Sequence, residues 1–128
     1  MRPRSLHPTH VAYDEPVHEI MRELGKTLAK LHNSGIIHGN LDATAVLVLS
    51  EPGVCVSVRL TGFSHGIHST EPDDKATEMR TLEKDLQQLS PVFHSELVLA
   101  LYEGYEADLC GKEEILERIA VSRLWVIL

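Results

Sequence analysis

Apolar residues recur at steps of three and four in two stretches of the chain, the period of a helix with one buried face. The first stretch follows Asp14, a residue suited to capping a helix, and stops at Gly35, where a left-handed conformation can end one. The second follows Thr70, another candidate cap, and runs to Pro91. The two apolar stripes are Val17, Ile20, Met21, Leu24, Leu28 and Leu31, then Ala76, Met79, Leu82, Leu86 and Leu89. The pattern predicts two amphipathic helices.

Between these helices the period of the pattern changes to two, which is typical of a half-buried β-strand. Apolar and polar residues alternate over residues 54–60, and an apolar run ending at Leu49 precedes them. The residues between the two runs, Ser50-Glu51-Pro52-Gly53, predict a tight turn. We therefore expect a central β-hairpin with one loop before it and a second loop over residues 61–71. Any chemistry of the chain should lie on these two loops.

The C-terminal part of the sequence predicts two further helices. One should cover about residues 92–108, and a short fourth helix should follow the break at Gly111. The inward positions of this pair are Phe93, Leu97, Leu101 and Tyr105, then Ile115, Leu116 and Ile119. Residues 124–128 are all apolar, so they should either pack back on the domain or contact a partner. Residues 1–14 should form an irregular arm, and residues 15–128 one mainly helical α+β domain.

Composition limits the classes of function. A chain of 128 residues is long enough for one buried core, and its net charge of -7 argues against direct binding to nucleic acid. Cys55 and Cys110 form no CxxC pair, so we expect reduced thiols. The N-terminus lacks a signal-peptide pattern, and no apolar run is long enough to span a bilayer. These features predict a cytoplasmic or nuclear protein.

Four short motifs stand in order along the chain. They are GKTLAKLH from Gly25, IHGNL from Ile37, LTGFS from Leu60 and PDDKATEMRTLEK from Pro72. They are similar to G-x-x-L-A-x-L-H, I-H-G-D-L-T-T-S-N, L-I-D-F-G and P-E-D-K-x-V-D-L-Y-V-L-E-K in the atypical serine/threonine kinase subunit of the KEOPS tRNA-modification complex. The chain resembles this RIO-related bud-site-selection kinase family over roughly residues 17–124. The resemblance implies a protein-kinase-like C-terminal lobe with one β-hairpin and about four helices.

The sequence departs from that family at the three positions that carry its chemistry. Asn40 occupies the position of the catalytic-loop Asp, and an amide cannot accept a proton at neutral pH. Ala45 and Gly62 occupy the positions of the two metal ligands, although Mg²⁺ needs oxygen donors. Phosphoryl transfer in this architecture depends on both functions. We therefore expect no catalytic, metal or cofactor site, and no binding of Mg-ATP.

The phosphate-binding half of a kinase is also missing from the sequence. No Gly-rich loop or strand lysine precedes the first helix, so an absent N-lobe is expected. The resemblance does extend to residues with structural roles. It implies that His38 and Phe63 pack together beneath the former active site, and that Gly39, Leu41 and Glu78 support the scaffold.

The resemblance also implies a protein partner. In the family, the C-lobe and a basic tail face the tRNA threonylcarbamoyl-transferase subunit of KEOPS. Here Arg123, Leu124 and Trp125 lead into an apolar end, so a contact would depend on apolar burial. We therefore expect a non-catalytic, pseudokinase-like interaction module, with no membrane contact.

Several alternatives remain open at this point. Asp42 lies two residues after Asn40 and is either a turn-capping residue or a displaced base or magnesium ligand. In the second case the chain would retain ATP-dependent serine/threonine kinase or ATPase activity in a complex. The chain could instead be the remnant of a duplicated kinase gene. Residues 62–66 also match the hydrolase pattern G-x-S-x-G, and His65 and His68 have a spacing that two metal ligands can share. We favour a degenerate loop and solvated histidines.

Overall fold

Four helices and five short strands make up the part of the chain that the computed structural model describes, residues 2–5, 15–50 and 56–127. The helices are α1 (Glu15–Asn33), α2 (Pro72–Leu89), α3 (His94–Asp108) and α4 (Lys112–Ile127). The strands are β1 (Arg2–Ser5), β2 (Ile36–Ile37), β3 (Val46–Ser50), β4 (Ser57–Leu60) and β5 (Ile67–His68). Both predicted amphipathic helices and the hairpin strands are confirmed.

α1 and α3 pack face to face, and a glycine on each helix lies against the backbone of the other. A methyl group added to Gly25 would lie 2.0 Å from the carbonyl oxygen of Leu101, and one added to Gly104 would lie 1.9 Å from that of Arg22. The two backbones therefore touch, which any side chain at either position would prevent. The stripe predicted for α1 is buried here, with Ile20, Met21, Leu24 and Leu28 at most 1% exposed.

The strands form two small sheets. In the first, β3 lies between β1 and β4, and Val48 faces Arg4 on one side and Val58 on the other. In the second, β2 pairs antiparallel with β5, so Ile37 lies opposite Ile67. This second sheet ties the loop that follows α1 to the loop that precedes α2. Both loops of the predicted site are thereby brought to one end of the domain.

Four details of the sequence interpretation are wrong. Arg2–Ser5 do not belong to an irregular arm, because their backbone pairs with β3. The predicted loop over residues 61–71 contains a 3₁₀ turn, Phe63–His65, and strand β5. α2 begins after Glu71 rather than after Thr70. α4 is not short, since it continues to Ile127.

Other predictions concern residues outside the described ranges. They are the cap at Asp14, the predicted turn Ser50-Glu51-Pro52-Gly53 after Ser50, which ends β3, the thiol of Cys55 and the rest of the N-terminal arm. The thiol of Cys110 is free and exposed. No helix in the described part of the chain is long and apolar enough to span a membrane.

Candidate functional site

The loop at residues 38–42 is held in place by one buried carboxylate, that of Glu78 on α2. Its Oε1 accepts hydrogen bonds from the backbone N–H of His38 at 3.0 Å and from Nε2 of His32 at 2.9 Å. Its Oε2 accepts from the backbone N–H of Gly39 at 2.9 Å. Glu78 is only 6% exposed, so these three donors replace the water that it loses on folding. One side chain thus joins α1, α2 and the loop.

The same carboxylate belongs to a buried hydrogen-bond chain. Nδ1 of His32 lies 2.7 Å from the hydroxyl of Tyr105 on α3. Burial raises the pKa of Tyr105, and the charge of Glu78 adds to that rise, so the hydroxyl keeps its proton. With a proton on Nε2, His32 donates to Glu78, and its Nδ1 can accept from the Tyr105 O–H. Burial by itself would raise the pKa of Glu78, but the hydrogen bonds from His32 and the loop outweigh it and lower that pKa.

His38 connects this loop to the second one. Its Nε2 donates to the carbonyl of Thr61 at 2.6 Å, while its Nδ1 accepts from the N–H of Asn40 at 3.2 Å. The rings of His38 and Phe63 lie 4.6 Å apart between centroids, the contact that the resemblance implied. Gly39 has φ +90, and a Cβ there would lie 2.0 Å from the carbonyl oxygen of His65. The two loops are therefore in direct backbone contact.

The three positions that should carry chemistry lie on these two loops or next to them. Asn40 is exposed, and its backbone is bound to His38. Ala45 is buried, and its carbonyl accepts from the N–H of Thr61 at 2.8 Å, so it is adjacent to the second loop. Gly62 has φ +74 and nothing within 4 Å of an added Cβ. Among the described residues, no group of three or more His, Cys, Asp and Glu could hold a metal ion.

Asp42 has the contacts of a turn-capping residue. Its Oδ1 accepts from the backbone N–H of Thr44 at 2.9 Å and from its hydroxyl at 2.5 Å, which begins a 3₁₀ turn over Ala43–Ala45. The hydroxyl of Thr44 is the largest cause of a lowered pKa at Asp42. A carboxylate with a lowered pKa is a weaker base, so these contacts oppose a role in taking a proton.

Sequence reasoning missed Asp85. Its Oδ2 accepts from the backbone N–H of Ala43 at 2.9 Å, so α2 holds the loop at two points. Asp85 stands seven residues after Glu78, which places both carboxylates on the same face of the helix. That spacing was the available signal. A cleft of about 440 Å³ lies between the loop and this face of α2, with Asp42, Ile67 and Lys84 among its lining residues.

A second buried carboxylate, Glu83, fastens α4 to α2. Arg123 donates to both of its oxygens, from Nε at 3.2 Å and from Nη2 at 2.8 Å, and Arg80 donates at 2.9 Å. Tyr102 donates to the same carboxylate, and the guanidinium of Arg123 lies 5.3 Å from the centre of its ring. Burial alone would raise the pKa of Glu83, but its hydrogen bonds with Arg123 and Tyr102 lower it.

The three predicted partner-binding residues are therefore not alike. Arg123 is bound within the chain, as the contacts with Glu83 show. Leu124 is 58% exposed and free to meet another surface. The backbone of Trp125 is helical, and its side chain lies outside the described part of the structure.

The hydrolase pattern at residues 62–66 lacks its structural context. A nucleophile elbow turns directly from a strand into a helix, whereas the 3₁₀ turn at Phe63–His65 leads into β5. Ser64 Oγ lies 3.2 Å from Nδ1 of its neighbour His65, on the exposed surface. His68 is also exposed. The loop therefore does not have the structure of a nucleophile elbow.

The order of elements defines the class of this protein: a helix, a His-Gly loop, a hairpin, a short second loop and a further helix. The contacts of Glu78 and His38 join them. The protein has the fold of a protein-kinase-like C-terminal lobe. No protein-family model matches the chain.

Several curated proteins are similar to most of the chain. A probable bifunctional tRNA threonylcarbamoyladenosine biosynthesis protein from Methanoculleus marisnigri is 31% identical over 100 residues, which are 78% of this chain and 18% of that protein. The EKC/KEOPS complex subunit Tp53rkb of Mus musculus is 28% identical over 107 residues, 83% of this chain and 43% of the mouse protein. The EKC/KEOPS complex subunit BUD32 of Yarrowia lipolytica is 30% identical over 91 residues, 71% of this chain and 34% of the yeast protein.

The resemblance inferred from the four motifs is thereby confirmed. The chain is a homologue of KEOPS complex subunits and of bifunctional tRNA threonylcarbamoyladenosine biosynthesis proteins. It spans less than half of the length of each of these relatives.

Proposed function

We propose that this chain is a non-catalytic, kinase-like interaction module that supports tRNA threonylcarbamoyladenosine modification. One observation carries the proposal: the hydrogen bonds that hold the two loops are in place, whereas the three positions that should carry the chemistry hold an amide, a methyl group and a hydrogen. Glu78 and His38 satisfy the buried polar groups of the loops. Asn40, Ala45 and Gly62 supply neither a proton acceptor nor a carboxylate for Mg²⁺.

We also propose that the chain carries out no nucleotide chemistry. Losing a general base alone typically costs 10²–10⁴-fold in rate, and here the metal ligands are replaced as well. Asp42, two residues after Asn40, is the carboxylate that could substitute, but its Oδ1 is engaged by both donors of Thr44. We therefore propose that no Mg-ATP is bound and that no cofactor is needed.

The relatives' names and lengths support a role in a protein complex. The matched region is 18% of the Methanoculleus protein but 43% of the mouse subunit, so the archaeal protein carries more than twice as much chain. Its name describes two functions in one polypeptide, which suggests that a kinase-like part works beside a second part. We propose that the tRNA threonylcarbamoyl-transferase subunit of KEOPS is the partner, and that the contact is made in the cytoplasm or nucleus.

The end of α4 is the surface that we assign to this partner. Val121 is 44% exposed and Leu124 is 58% exposed, and they lie three residues apart on the helix. Side chains at this spacing share one face. The pair between Arg123 and Glu83 holds the end of α4 against α2, so the face is presented in a fixed orientation.

Isothermal titration with Mg-ATP tests the catalytic half of the proposal. We expect no heat of binding at nucleotide concentrations up to the millimolar range. The matched control is titration of nucleotide without metal, which separates binding at a metal site from weak surface binding. Micromolar, metal-dependent binding would overturn the proposal and favour residual kinase or ATPase activity.

Co-purification tests the partner. The chain should retain the transferase subunit, and a variant with Leu124→Asp should retain much less of it because a charge would be buried at the contact. Glu117→Asp, a conservative change on an exposed residue of the same helix, is the control. Equal retention by all three forms would contradict the assigned surface. No retention by the unchanged chain would contradict the proposed partner.

A further inference from the structure

We draw no further inference here: the strongest candidate, the acidic cleft between the loop at residues 38–42 and α2, belongs to the site already described, and its carboxylates at Asp42, Glu78 and Asp85 already accept hydrogen bonds from the chain's own groups.

Discussion

The buried side and the open side of the loop at residues 38–42 differ sharply. On the buried side, Glu78 receives three hydrogen bonds, and His38 uses both ring nitrogens. On the open side, Asn40 is exposed, as is Gly62 on the neighbouring loop. The comparison teaches that the shape of a kinase-type loop and its chemistry depend on different residues.

Removing the buried anchor should have the largest effect. Glu78→Ala leaves the N–H groups of His38 and Gly39, and one nitrogen of His32, without their acceptor. Breaking a buried, charge-assisted set of this kind costs about 3–5 kcal/mol. Chemical denaturation should show that loss in the free energy of unfolding.

Glu117→Ala on the exposed face of α4 is the matched control and should change stability by less than about 0.5 kcal/mol. A loss below 1 kcal/mol for Glu78→Ala would mean that the loop is held by something other than this carboxylate.

Two glycines sharpen the comparison, because both have positive φ but only one is crowded. Gly39→Ala meets the carbonyl of His65 as well as backbone strain, whereas Gly62→Ala meets open space. Strain alone costs about 1–2 kcal/mol, and crowding adds about 1–3 kcal/mol. Thermal unfolding should therefore rank Gly39→Ala as clearly less stable than Gly62→Ala. Equal losses would show that the two loops can separate at little cost.

Acid should reduce the stability that the buried carboxylates contribute. The pKa values of Glu78 and Glu83 are lowered in the folded state, so the unfolded state binds more protons as the pH falls below about 4.3. The stability that these carboxylates contribute is present above that pH and is lost as the pH falls through their folded-state pKa values. Melting temperatures measured from pH 7 to pH 3 should decline below pH 4.3, and Glu78→Gln should reduce the slope. An unchanged slope would exclude Glu78 as a source.

The smallest effect is expected on the open side. Asn40→Asp changes an exposed side chain, so the free energy of unfolding should shift by less than about 0.5 kcal/mol. Because Ala45 and Gly62 still provide no metal ligands, Mg-ATP binding should remain undetectable by titration. Nucleotide binding gained by this single change would show that the metal positions matter less than we propose.

Much of the fold was predictable because it depends on local patterns. The stripes of α1 and α2 and the alternation around Val58 set the helices and the hairpin through the period of their apolar residues. The pairing of Arg2–Ser5 with β3 was not predictable, because it joins segments more than forty residues apart. Strand β5 was missed for a different reason, because a strand of two residues cannot show a period.

The sequence by itself determined the chemical identity of the site: the three positions hold an amide, a methyl group and a hydrogen, whatever the fold does with them. Only the tertiary structure decided how the loop is held, because Glu78 and Asp85 reach it from a helix about forty residues away. It also decided that Arg123 is bound to Glu83 instead of being offered to a partner. Side-chain chemistry is fixed residue by residue, whereas hydrogen-bond partners depend on which distant segments the core brings together.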